Sequence, residues 1–172
     1  MARPSAASAS PRSPDPSAWP AFLLSQVGAH SAGRFADWLA PLGLKPPHAG
    51  ILRALNRAEG LSQQALGEAL GTFPSRLVVL LDELEARGLV ERRDRPGDRR
   101  SYALHLTKAG REALEQIVRV AGQHQDDLCA ALDESEREQL VGYLRRIAEQ
   151  QGLAPGIHPG WKPLGEGRSG NG

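Results

Sequence analysis

"LSQQALGEALGTFPSRLVVLLDELEARGLVERRDRPGDRRSYALHLT", residues 61–107, carries two apolar periods in succession, and the change from one to the other decides the fold. Leu77, Leu80, Leu81 and Leu84 recur at i, i+3, i+4 and i+7, the stripe of an amphipathic helix. Pro74 stands where a first-turn proline is tolerated, and Gly88 where a residue free to adopt positive φ commonly ends a helix. Upstream, Leu61, Leu66 and Leu70 are assigned to a shorter helix that begins near Ser62 and stops at Gly71, which leaves a turn of only a few residues. After Gly88 the period falls to two. "LVERRD" and "SYALHLT" read as short strands, the second alternating Tyr102, Leu104 and Leu106 with Ala103 and His105, and "RPGD" makes the turn between them.

Two short helices, a tight turn and an immediate hairpin are the layout of a winged helix-turn-helix. Charge supports this. Five arginines lie between positions 92 and 100, and residues 87–111 hold eight bases against three acids, whereas residues 112–151 hold nine acids against four bases. One end of the molecule is built to meet an anion. With its leucines turned inward, the second helix presents Ser75, Arg76, Val78, Val79 and Glu83 outward. Valines suit a major groove, where thymine offers a methyl group, and Arg76 suits a guanine edge or a phosphate. The wing residues Arg95, Arg99 and Arg100 can reach an adjacent minor groove, and Asp98 can hold Arg100 in one rotamer through a bidentate pair. Taken alone, such a hairpin is equally a charged, soluble turn; the helix-turn-helix before it favours nucleic acid.

Working outward, 172 residues suit one well-buried domain with loose ends. Residues 1–18 and 152–172 are rich in Pro, Gly, Ser or Ala without a periodic apolar face and read as flexible tails; for the first, an organelle transit peptide is the alternative to a disordered leader. The domain is expected over 19–151. Its DNA-binding lobe covers about 45–107, with a helix opening after "KPPH" that carries Ile51, Leu52 and Leu55. Flanking helices cover about 20–42 and 108–151, the latter split in two by Asp133, which with Glu136 has the pattern of a capping box. No apolar run reaches the roughly 20 residues of a membrane span. The single cysteine, Cys129, cannot form an internal disulfide, and the simplest location is cytoplasmic.

Residues 61–114 resemble the DNA-binding core of the MarR family of bacterial transcriptional regulators. The pieces that carry the resemblance are "LxxxGLVER" around Leu84 to Arg92, the wing "PGDRRSYALHLT" and the "TKAG" that opens the next helix, with "LKPPHAGILRAL" at 44–55 extending the likeness to about residues 20–150. The resemblance implies a mostly α fold with a small β-hairpin wing, and a homodimer whose first helix and last two helices interlock. It also implies two recognition helices on a pseudo-palindromic double-stranded operator, with repression as the usual outcome. By position, Arg100 matches the wing arginine that enters the minor groove, Asp98 the acid that orients it, and Arg99 a phosphate contact. Two departures stand out. Phe73 occupies the position of the usual Ser or Thr cap, for which Thr72 is the substitute, and Val78 and Val79 replace polar or basic residues.

Family members are often released from DNA by a phenolic or aromatic acid. Here His30, Arg34 and Trp38, spaced i, i+4, i+8, can line one helix face for such a ligand; the alternative is that Trp38 packs at a dimer interface and Arg34 meets solvent or an acid. Cys129 sits near Asp126 and Asp127, which disfavour a thiolate, so oxidant sensing is not expected. No two of the five histidines have helical metal-site spacing, and there is no phosphate loop or nucleophile elbow, so neither a metal, a cofactor nor catalysis is expected. The rival reading is a non-regulatory winged helix that binds nucleic acid or protein.

Overall fold

A computed structural model describes residues 15–95 and 98–158, with the side chains of Arg95 and of residues 98–101 left out. Helix α1 spans Pro20–Leu39, α2 Pro46–Arg57, α3 Gln63–Leu70 and α4 Pro74–Ala86. Strands β1 (Val90–Arg95) and β2 (Asp98–Leu106) follow, then α5 (Lys108–Leu128) and α6 (Glu134–Gln150). The chain divides into two compact units, residues 1–34 and 35–172. In the first, Asp15 caps a 3-10 turn at Pro16–Ala18, where an unstructured tail was expected, by accepting from the Ser17 amide at 2.9 Å. The first turns of α1 leave Phe22, Leu23 and Val27 exposed.

In the second unit the predicted leucine stripe is the core. Leu77, Leu80, Leu81 and Leu84 are all buried, together with Ile51, Leu52 and Leu55 of α2 and Leu66 and Leu70 of α3. Gly71, with φ of 61°, turns the chain tightly between α3 and α4, a conformation that a side chain would resist. Two boundaries differ from expectation. Helix α2 starts at Pro46, before His48, because a first turn has no use for the N–H groups that two prolines lack. Leu61 belongs to no helix: its carbonyl accepts from the Leu104 amide at 2.9 Å, and Gly60 donates to the Leu104 carbonyl at 3.0 Å, so it forms a bridge on the free edge of β2.

The hairpin pairs β1 and β2 antiparallel, with Val90 opposite Leu106 and Arg92 opposite Leu104; residues 96–97 of its turn lie outside the described residues. Leu104 and Leu106 point into the core, while Tyr102 is exposed. Thr107 then joins hairpin to helix. Its hydroxyl accepts from the Gly110 amide at 2.9 Å and donates to the Gly88 carbonyl at 2.6 Å, so a single side chain caps α5 and ties it to the end of α4. Asp133 and Glu136 form the expected capping box, both bonds at 2.9 Å. The expected tail does not leave the fold at residue 152: the Gly156 carbonyl accepts from Arg53, and Ile157 covers part of the core, an apolar side chain gaining more there than in water.

Gly110 explains the "TKAG" pattern. A Cβ at this position would lie 2.0 Å from the Leu89 carbonyl oxygen, a backbone atom that cannot swing aside. Gly110→Ala is expected to destabilise the fold by about 3 kcal/mol or more, because α5 must lift off the strand connection. Urea unfolding followed by tryptophan fluorescence measures this, and a loss below about 1 kcal/mol would show that the approach is not tight.

Candidate nucleic-acid interface

The burial of its leucines fixes which residues α4 can show. Ser75, Arg76, Val78 and Val79 are all exposed, Val79 by 57%. Phe73, at the N-cap, is 45% exposed and adds a second apolar group at the same end of the helix, one that sequence reasoning noted only as a departure. The substitute cap does not form. Thr72 Oγ1 is buried without a hydrogen-bond partner among the described residues, and α4 begins with no side-chain cap. Pro74 compensates in part, since it removes one donor that would otherwise need an acceptor.

Glu83, expected to face outward with these residues, is turned instead toward α2. Lys45 Nζ donates to both its oxygens at 3.0 and 2.9 Å, and His48 Nε2 lies 2.9 Å from Oε2. The Lys45 ammonium chiefly holds the Glu83 carboxyl below its usual range. Burial pushes His48 below the usual imidazole range; Glu83 acts in the opposite direction, and the positive charges of Lys45 and Arg87 reinforce the fall.

Much of the basic segment is likewise engaged within the chain. Arg87 donates to the Leu42 carbonyl at 2.8 Å and to that of Gly43, tying the end of α4 to the turn after α1. Arg92, read as part of the arginine tip, reaches back to α4, donating to Asp82 at 2.6 Å and to Glu85. Arg93 pairs with Glu91, and Arg111 donates to the Leu106 carbonyl at 3.0 Å. Arg95, Asp98, Arg99 and Arg100 fall on the two strands at the tip; their side chains, including the expected pairing of Asp98 with Arg100, lie outside the described residues. His30, Arg34 and Trp38 all fall on α1, as expected. His30 is exposed, and the Trp38 ring is tilted against His124, with centroids 6.4 Å apart. The Phe35 ring is tilted against the same imidazole at 5.7 Å, and His124, on α5, is buried.

A model of the MarR family matches residues 42–101. Over 113 residues the chain is 36% identical to a putative transcriptional regulatory protein for the hcr operon of Thauera aromatica, covering 66% of this chain and 68% of that protein. The chain belongs to the MarR family. Solved structures of MarR-family proteins agree. The transcriptional repressor CouR bound to a 23-mer DNA duplex matches with a TM-score of 0.68 at 32% identity, over 77% of this chain and 94% of that one. CouR from Rhodococcus jostii RHA1 bound to p-coumaroyl-CoA matches at 0.64 and 32% identity, over 79% and 96%. The winged helix-turn-helix expected from the sequence is therefore the fold, and the protein is a MarR-family transcriptional regulator. Among the described residues, no helix is long and apolar enough to cross a membrane.

Two predictions concern the internal ties of this MarR-type lobe. Arg92→Ala should lower the unfolding free energy by about 1–2 kcal/mol, and Arg93→Ala, whose partner is two residues away on an exposed strand, by less than about 0.5 kcal/mol. Equal losses in urea titrations would show that Arg92 is no tie. For His48 the folded protein binds its proton less readily than the unfolded chain. Its stabilising contribution is therefore full above the ordinary imidazole value of about 6.5 and declines as pH falls below it. Unfolding titrations at about pH 7.5 and 5.5 should show a smaller drop for His48→Gln than for the wild type.

Proposed function

We propose that the protein is a homodimeric repressor that binds a pseudo-palindromic double-stranded DNA operator and is released by a small aromatic ligand. The observation that carries the reading is an α4 face of exposed valines with a single arginine, Arg76, followed in the chain by an arginine-bearing hairpin tip, in a chain whose relative CouR is a repressor bound to a DNA duplex. Ser75, Arg76, Val78 and Val79 enter the major groove, where the valines meet thymine methyl groups. Arg95, Arg99 and Arg100 serve the minor groove and its phosphates, with Asp98 orienting Arg100.

Dimerisation is supported by apolar surface at both ends of the chain. Phe22, Leu23 and Val27 on α1, and Val141, Leu144 and Ile147 on α6, are each more than a third exposed. A second copy would cover them and set two recognition helices about one helical turn of DNA apart. The effector reading rests on His30, Arg34 and Trp38 along one helix and on the p-coumaroyl-CoA bound by CouR, an aromatic acyl thioester. A cytoplasmic location follows from the proposed target.

Selection of bound duplexes from a random pool, followed by salt-resolved titration of the winners, tests the core of this reading. An inverted repeat should be enriched, and Arg100→Ala should weaken its binding by roughly 1–3 kcal/mol while sedimentation still gives a dimer. A pool that enriches nothing, with affinity collapsing evenly as salt rises, would leave only a non-regulatory nucleic-acid module.

A further inference from the structure

His48 is 2% exposed, and both its ring nitrogens are committed. Nδ1 lies 3.3 Å from the backbone nitrogen of Lys45, the residue that precedes α2. An amide can only donate, so Nδ1 carries the lone pair. The proton of the neutral ring therefore sits on Nε2 and points at Glu83 Oε2, 2.9 Å away. Both oxygens of the Glu83 carboxylate also accept from Lys45 Nζ, and the charge of Arg87, at the end of α4, acts on His48. Glu83 stands four residues after Val79 and seven after Arg76, on the same side of α4, so a rigid helix transmits the setting of one to the others.

We propose that His48 is the positioning residue of the recognition helix: its neutral ring, anchored on the Lys45 amide, fixes Glu83 and with it the seating of α4, so that protonating His48 lowers operator affinity. The proposal rests on the duplex-binding reading of α4. A second proton on Nδ1 sets one N–H against another where a hydrogen bond had been, so either the ring turns or the first turn of α2 opens. A turned ring loses its bond to Glu83; an opened first turn displaces Lys45, whose Nζ holds the same carboxylate.

The sign of the effect separates it from ordinary electrostatics. Protonating a histidine that meets solvent adds positive charge and strengthens binding to a polyanion. Weakening on acidification is the opposite. If bound protein excludes one proton per subunit, affinity falls by up to about tenfold per pH unit and per subunit below the titration.

The probe is the duplex enriched by the full-length chain from a random pool at about pH 7.5, titrated at constant ionic strength down to about pH 5.5, with circular dichroism to verify folding at each pH. Wild-type affinity should fall. His48→Gln keeps a donor within reach of Glu83 and cannot be protonated, so it should bind within about threefold of the wild type at the upper pH and lose the downward limb. His48→Asn keeps an acceptor for the Lys45 amide but is too short for Glu83, and should bind about tenfold more weakly throughout. Wild-type affinity that stays flat or rises on acidification overturns the proposal while leaving the regulator reading intact; a pool that enriches nothing overturns both. Should both variants fail to fold, imidazole nitrogen spectra of the wild type decide. An unprotonated Nδ1, with His48 titrating at lower pH in the duplex complex than without DNA, is expected; the other tautomer, or equal titration in both states, overturns it.

Discussion

The outward face of α4 depends on the helix's inward leucine seam. At about 100° per residue, placing Leu77, Leu80, Leu81 and Leu84 in one core leaves Ser75, Val79 and Asp82 no direction but outward, with Arg76, Val78 and Glu83 on the flanks. Each buried leucine is worth roughly 1.5–3 kcal/mol of transfer free energy, so the seam far outweighs any preference of the outward residues. That is why two valines can be held in water. Left to itself, a 13-residue helix beginning without a side-chain cap is marginal, and it is the seam that keeps it formed.

Charge shows the opposite economy. The eight bases of residues 87–111 suggest a uniformly cationic edge, yet those on either side of the hairpin tip mostly bind their own protein. Arg87 holds carbonyls of the turn after α1, Arg92 joins the hairpin to α4 through Asp82 and Glu85, and Arg111 grips the end of β2. The bidentate reach of a guanidinium suits all three tasks. The wing is thereby braced against the recognition helix, which matters for any contact that requires both to meet one duplex together.

What the sequence made legible follows from period. Wherever one local rule governs, as in the leucine stripe, the helix start near Ser62, the Asp133 cap and the alternation at Leu104 and Leu106, the element was readable. Features set by tertiary pairing were not. Leu61 looked like the first of a helical series because its true partner, Leu104, lies 43 residues away in the chain. Glu83 looked solvent-facing because nothing local reveals Lys45 and His48 across from it. One signal was available: two prolines in "KPPH" are tolerated together only in a first helical turn, which puts His48 inside α2 and near its N-terminus.

The two ends of the fold are stabilised differently. The lobe built on α2, α3, α4 and the hairpin has its own core, whereas α6 contributes no fully buried residue despite Leu140, Val141, Leu144 and Ile147. Its capping box satisfies amides at one end of the helix but buries nothing. A 17-residue helix held by so little is a poor independent element, and its apolar face has to be covered for it to persist. If the cover is a second copy, as we propose, folding of α6 and pairing of the lobes are one event. The separation between two recognition helices is then set by how completely that face is buried, and a ligand acting there needs only to change that burial slightly to move both helices relative to their half-sites.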